Sequence, residues 1–239
     1  MNHYDLYLES GPKRRKTMVH VLDLPGCIAQ GPTTEAALEA TPEAIGVYLR
    51  FLGRHGEAVE PDAAFTAVVA EHVTEGGWLG NGDPTPGFTF DFRPLTTDDL
   101  AVYLRRLAWL RSDLLALIRD VPRERLMAEP EGGGRSVYRI LEHVAESHCV
   151  YLRYLVGKVD GLSEGLRAVQ SEPEVLTDAL TRLWRISAAR LEVLTEAERT
   201  QRIPHGQVTW TARRALRRML EHDWEHLLEL SRRLKGTAG

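Results

Sequence analysis

From Tyr4 to Leu8 large apolar residues alternate with polar ones, the period of a β-strand. Gly11-Pro12 and the run Lys13-Arg14-Arg15-Lys16 then predict a solvated turn. A second apolar run, Met18 to Leu24, stops at Pro25-Gly26, and Cys27 to Gln30 reads as a short third strand. Thr33 or Thr34 is placed to cap a helix, with Glu35 in its first turn. Ala37, Leu38, Ile45, Tyr48, Leu49 and Leu52 form its apolar stripe, and Pro42 is expected to kink it or reset its start. Phe65 to Val73 suits a further strand.

The composition then changes. Gly76, Gly77, Gly80, Gly82, Pro84, Pro86 and Gly87 crowd one stretch and place a connector within 76–95. Inside it Phe88, Phe90 and Phe92 alternate with Thr89 and Asp91, which predicts a packed strand. From Thr96 onward the period is helical. Thr97-Asp98-Asp99 opens one helix, which stops at Val121-Pro122, and Ser136 opens a second after the loop Gly132-Gly133-Gly134. Glu174 to Leu194 and Thr211 to Leu234 give two more. Helices of about 20 residues are about 30 Å long. Four apolar stripes of that length are buried together by a four-helix bundle. The expected architecture is therefore an α+β N-terminal module followed by an all-α up-down four-helix bundle.

Composition adds exclusions. Of 239 residues, 43% are hydrophobic and 27% charged, ordinary for a globular chain and unlike a disordered or collagenous one. Residues 1–95 carry 7 Lys and Arg against 13 Asp and Glu, and the remainder 23 against 21, so neither part advertises nucleic-acid binding. No apolar run is long enough for a membrane span. The start Met1-Asn2-His3-Tyr4-Asp5 carries no basic-then-apolar secretory pattern. Two cysteines, Cys27 and Cys149, make no disulfide framework and read as small buried apolar residues. A reducing cytoplasm is the expected compartment. Gly132-Gly133-Gly134 lacks a phosphate-loop lysine and reads as loop, and Trp109, Trp184, Trp210 and Trp224 read as core.

Among nine histidines, His222 and His226 stand four apart on one helix. That spacing puts two imidazoles on one face, about 6 Å apart at Cβ, and so offers both to one metal ion. A third ligand must come from another helix. His143 falls at the edge of its helix's apolar stripe and His148 near the centre, so periodicity leans to His143 and leaves His148 open. Glu142, Glu146 and Asp223 are candidate carboxylates to hold a ligating imidazole from behind.

Two stretches resemble known families. Ser136-Val137-Tyr138-Arg139-Ile140-Leu141-Glu142-His143-Val144-Ala145-Glu146, followed by Met219-Leu220-Glu221-His222-Asp223-Trp224-Glu225-His226, resembles the DinB-like superfamily over about 96–235. The resemblance implies a four-helix bundle and, as metal ligands, His143, His222 and His226. The implied ion is zinc, nickel or iron. Leu24-Pro25-Gly26-Cys27-Ile28-Ala29-Gln30-Gly31, with Thr33-Thr34-Glu35-Ala36-Ala37-Leu38-Glu39-Ala40 and Glu43-Ala44-Ile45, resembles the HicB-like antitoxin domain. In that family a DNA-binding segment commonly follows; here the helical part follows, so operator binding is not expected. The domains implied are 1–75 HicB-like, 76–95 connector and 96–239 bundle.

Three neutral imidazoles on a divalent ion leave an open position, the arrangement of a catalytic site. DinB-like relatives imply a thiol-dependent transferase using a low-molecular-weight thiol, or a metal-assisted hydrolase, on a small-molecule substrate. Arg outnumbers Lys by 26 to 4, a mark of a GC-rich genome that leans towards a mycothiol-type thiol. The alternative is a non-catalytic HicB-like binding or regulatory module with a dimerising bundle. Both families imply a homodimer.

Overall fold

The computed structural model describes residues 1–81, 86–171 and 175–235. The chain divides into two compact units: Met1–Arg93 with Gly206–Thr209, and Pro94–His205 with the chain from Trp210. Gly82 and Pro84 of the expected connector, and Glu174 at the expected start of the third helix, lie outside the described residues.

The first unit is built on β1 (Asn2–Ser10), β2 (Arg15–Val21), β3 (Ile28–Thr33), α1 (Thr34–Arg54) and β4 (Phe65–Val73). The strands lie in the order β3-β2-β1-β4, with β1–β2 and β2–β3 antiparallel and β1–β4 parallel. A parallel neighbour needs a crossover, and α1 supplies it while packing on β2 and β3. The basic cluster turns the chain between β1 and β2, with Lys13 and Lys16 at positive φ. Thr33 caps α1 by accepting from the Ala36 amide at 3.2 Å. The helix runs through Pro42 as one element. Tyr48 of α1 donates to the Pro25 carbonyl at 2.6 Å. Gly26 beside it has φ +101° and no room for a Cβ, which would come 2.3 Å from the Tyr48 hydroxyl.

The phenylalanine-rich stretch is not a strand. Thr89–Phe92 is a 3₁₀ turn, because the Asp91 carboxylate accepts from the Phe88 amide at 3.0 Å while the Asp91 amide donates back to the Phe88 carbonyl. Phe88 and Phe90 are buried with Tyr7 and Leu22, so the alternation reflects burial of two rings rather than a β-ladder.

The second unit carries α2 (Thr97–Ile118), α3 (Arg123–Met127), α4 (Val137–Val156), α5 (Leu162–Ser171), α6 (Leu176–Glu192), α7 (Glu196–Thr200) and α8 (Ala212–Lys235). Thr96 and Asp99 close a capping box on α2, and Ser136 caps α4. Thr211 accepts from the Arg214 amide at the start of α8. Helix α8 packs on α2 and α4, and α6 also packs on both, making a helical bundle. The unit is not purely helical, as it holds a three-residue strand, β5 (Ile203–His205), while Val208 and Thr209 of the next strand, β6 (Val208–Trp210), belong to the first unit. The bundle holds an apolar core: Leu107, Leu110 and Leu114 of α2, Leu141, Val144 and Leu152 of α4, Leu180 and Leu183 of α6, and Leu216 and Leu220 of α8 are all buried. Among the described residues no helix is long and apolar enough to cross a membrane.

Candidate metal centre

Helix α4 carries His143 two turns from its start, and α8 carries His222 and His226 one turn apart. The packing of α8 on α4 brings all three rings together. The ring centroids lie 4.9 Å apart for His143 and His222, 5.6 Å for His143 and His226, and 4.6 Å for His222 and His226. One candidate ligand atom from each residue lies within 4.8 Å of the others. The Nε2 atoms of His143 and His222 face each other at 3.1 Å.

The donor set suits a divalent ion. At bond lengths of about 2.0–2.1 Å, tetrahedral nitrogen ligands stand ~3.3 Å apart, close to the Nε2 separation. Burial first, then Arg135 and His226, pushes the His143 pKa down to about 4. Burial and the neighbouring histidines hold His222 well below the ordinary range. Both imidazoles are therefore neutral at pH 7, the form with a free lone pair. The Nδ1 of His222 is buried with no hydrogen-bond partner among the described residues, so the protein leaves its tautomer unset. An ion on Nε2 would put the proton on Nδ1.

His226 is the best supported of the three. Its Nδ1 lies 2.9 Å from the Glu229 carboxylate, and the other oxygen of Glu229 accepts from Arg233. Arg233 in turn donates to the Arg135 carbonyl at 2.7 Å, just ahead of the α4 cap. Glu229 is thus the carboxylate behind a triad imidazole, directing the His226 Nε2 lone pair forward. Glu229 is absent from the sequence-based candidates, although its spacing of three from His226 is a same-face signal.

The expected carboxylates sit elsewhere. Glu142 accepts from Arg139 at 2.6 Å, and Glu146 is exposed. Asp223 does not hold a triad ring; its Oδ1 lies 2.7 Å from the Nε2 of His148. One residue step turns a helix by about 100°, so Asp223 points into the core while His222 points to the triad. His148 is buried, and its Nδ1 meets the Arg111 guanidinium at 2.5 Å. Both nitrogens of His148 are engaged, so it has no lone pair left for an ion. His143, and not His148, is the ring that faces the pair on α8.

Cys149 is buried and its thiol is pushed up to about 11, mainly by desolvation, which makes it an inert packing residue. Cys27 is likewise buried. Trp184, Trp210 and Trp224 are buried in the core, while Trp109 is half-buried beneath Arg105.

Among solved structures the chain is similar to YfiT from Bacillus subtilis, described as a probable metal-dependent hydrolase with an unusual four-helix bundle topology. That likeness covers 61% of this chain and 94% of YfiT, at 21% identity and a TM-score of 0.45. No curated protein matches the chain. The model of the DinB superfamily matches residues 106–230, more than half of the chain and both histidine-bearing helices. The chain belongs to the DinB superfamily.

Proposed function

We propose that this protein is a metal-dependent enzyme whose ion is held by His143, His222 and His226, and whose bundle is an up-down four-helix bundle of α2, α4, α6 and α8. The observation that carries the reading is the convergence of three neutral imidazoles from two helices, with the His143 and His222 Nε2 atoms 3.1 Å apart. Three protein ligands leave at least one position for water or substrate. When bound, a zinc, nickel or iron ion acts as a Lewis acid and lowers the pKa of a water or thiol at that position. The chain's own residues do the rest. Glu229 fixes the His226 ring, and Arg233 fixes Glu229. Burial keeps His143 and His222 unprotonated. The reaction class is transfer of a low-molecular-weight thiol to a small molecule, or hydrolysis of a small molecule.

The same proposal assigns a HicB-like αβ domain to 1–75, a connector to 76–95 and the bundle to 96–239. It places the protein in the cytoplasm as a homodimer. The reading of the N-terminal module rests on the motif from Leu24 to Ile45 and on the β-β-β-α-β order of its elements.

An open position is directly testable. Cobalt-loaded protein titrated with a small thiol is expected to gain a sulfur-to-metal charge-transfer band, and the His226→Ala variant to lack it. A cobalt spectrum that neither a thiol nor a small anion perturbs would mean a closed, structural site.

A further inference from the structure

Beside the triad, one layer deeper in the bundle, lies a second polar cluster with no apolar reason to exist. Arg111 of α2, His148 of α4 and Asp223 of α8 are 6%, 2% and 0% exposed. A guanidinium only donates, so the 2.5 Å contact from Arg111 Nη2 makes the His148 Nδ1 an acceptor. The ring proton therefore sits on Nε2 and is donated to Asp223 Oδ1 at 2.7 Å. Arg111 Nε faces the other Asp223 oxygen at 3.8 Å, and Nη1 reaches the Trp184 carbonyl of α6 at 3.4 Å. The result is a cation, a neutral imidazole of fixed tautomer and an anion in mutual contact, touching all four long helices.

We infer that the Arg111–His148–Asp223 relay is the positioning device of the histidine triad: it fixes the rotation of α4 against α8, and so the distance between His143 and His222. The inference rests on the metal-site reading above. Asp223 adjoins His222, and His148 lies five residues from His143, about 7.5 Å along α4. The two partners of the His148–Asp223 bond are thus each rigidly coupled to one side of the triad. Side-chain atoms ride about 5–6 Å from a helix axis, so a rotation of ~10° moves one by about 1 Å. Metal ligands tolerate only ~0.2 Å. Leucine stripes resist separation of helices better than they resist such a rotation, because dispersion contacts are non-directional. Hydrogen bonds of defined donor and acceptor hold the angle.

His148 is a positioning residue, and the test separates positioning from plain stability. Zinc affinity is measured by competition with a chelator, on wild type, His148→Leu and His148→Gln, each checked for helicity. Leucine fills the space and removes both bonds. Glutamine restores one acceptor for Arg111 and one donor for Asp223. The expected result is a 10–100-fold loss for His148→Leu, the scale of an outer-shell change, and a loss within about three-fold for His148→Gln. Should His148→Leu not fold, Arg111→Lys keeps the charge opposite Asp223 but loses the planar fork, and is expected to weaken zinc binding at least about three-fold. Leucine or lysine variants that bind as tightly as wild type overturn the inference and leave the three-histidine site standing. A glutamine variant as weak as leucine also overturns it. Wild type that takes no zinc removes the metal-site reading and the relay's role together.

Discussion

Replacing His222 with alanine is expected to lower zinc affinity by more than about 100-fold and to leave the helical content intact. His222 stands between the other two rings, with centroids 4.9 and 4.6 Å away, so its loss removes the ligand shared by both pairs. Loss of a direct ligand exceeds the 10–100-fold that an outer partner costs. The fold survives because the stripe of α8 does not depend on this ring: Leu216, Leu220, Leu227 and Leu230 remain buried. Chelator competition beside circular dichroism reads both quantities. Equal affinity in variant and wild type would place the ion elsewhere, or nowhere.

Asp223→Ala is expected to be strongly destabilising. Desolvation pulls Arg111 down to about 10, and the Asp223 carboxylate is the largest charge effect that opposes it. Removing Asp223 strands a buried cation and leaves the His148 Nε2–H without its acceptor. Breaking a buried charge pair from one side costs about 3–5 kcal/mol. For a chain of this size that is a fall in Tm of roughly 6–20 °C, at ~2–4 °C per kcal/mol. The double variant Asp223→Leu, Arg111→Met removes both charges and is expected to be milder than the single one, since matched apolar replacements of buried pairs are often neutral. Melting curves of the three proteins test this. A single variant as stable as wild type, or a double variant worse than the single, would contradict the account of the relay.

Much of this architecture is legible in the chain because local signals agree with tertiary need. Alternation marks β1, Phe65 to Val73 reads as β4, and Thr33 or Thr34, Thr97 and Ser136 mark helix starts that the structure shares within a residue or so. The pair His222 and His226 is readable from spacing alone. What periodicity does not carry is partnership. A wheel places His143 and His148 on α4 but does not say that Arg111, 37 residues upstream, occupies the inner ring. It places Asp223 beside the pair but not the 100° turn that sends its carboxylate to His148. Glu229 is not legible as a partner because a charge three residues past a histidine is usually a solvated helix-face residue. Helices α3, α5 and α7, of five, ten and five residues, are too short to show a full stripe. At Phe88 to Phe92 a side-chain carboxylate, not the apolar alternation, sets the backbone.

On the proposed reading, three histidines on two helices hold one ion. Mass spectrometry of the metal in untagged, natively purified protein tests it most directly, before and after loading with zinc or nickel. About one zinc, nickel or iron per chain is expected. No bound metal, even after loading, would contradict it and leave a non-catalytic bundle joined to its αβ module.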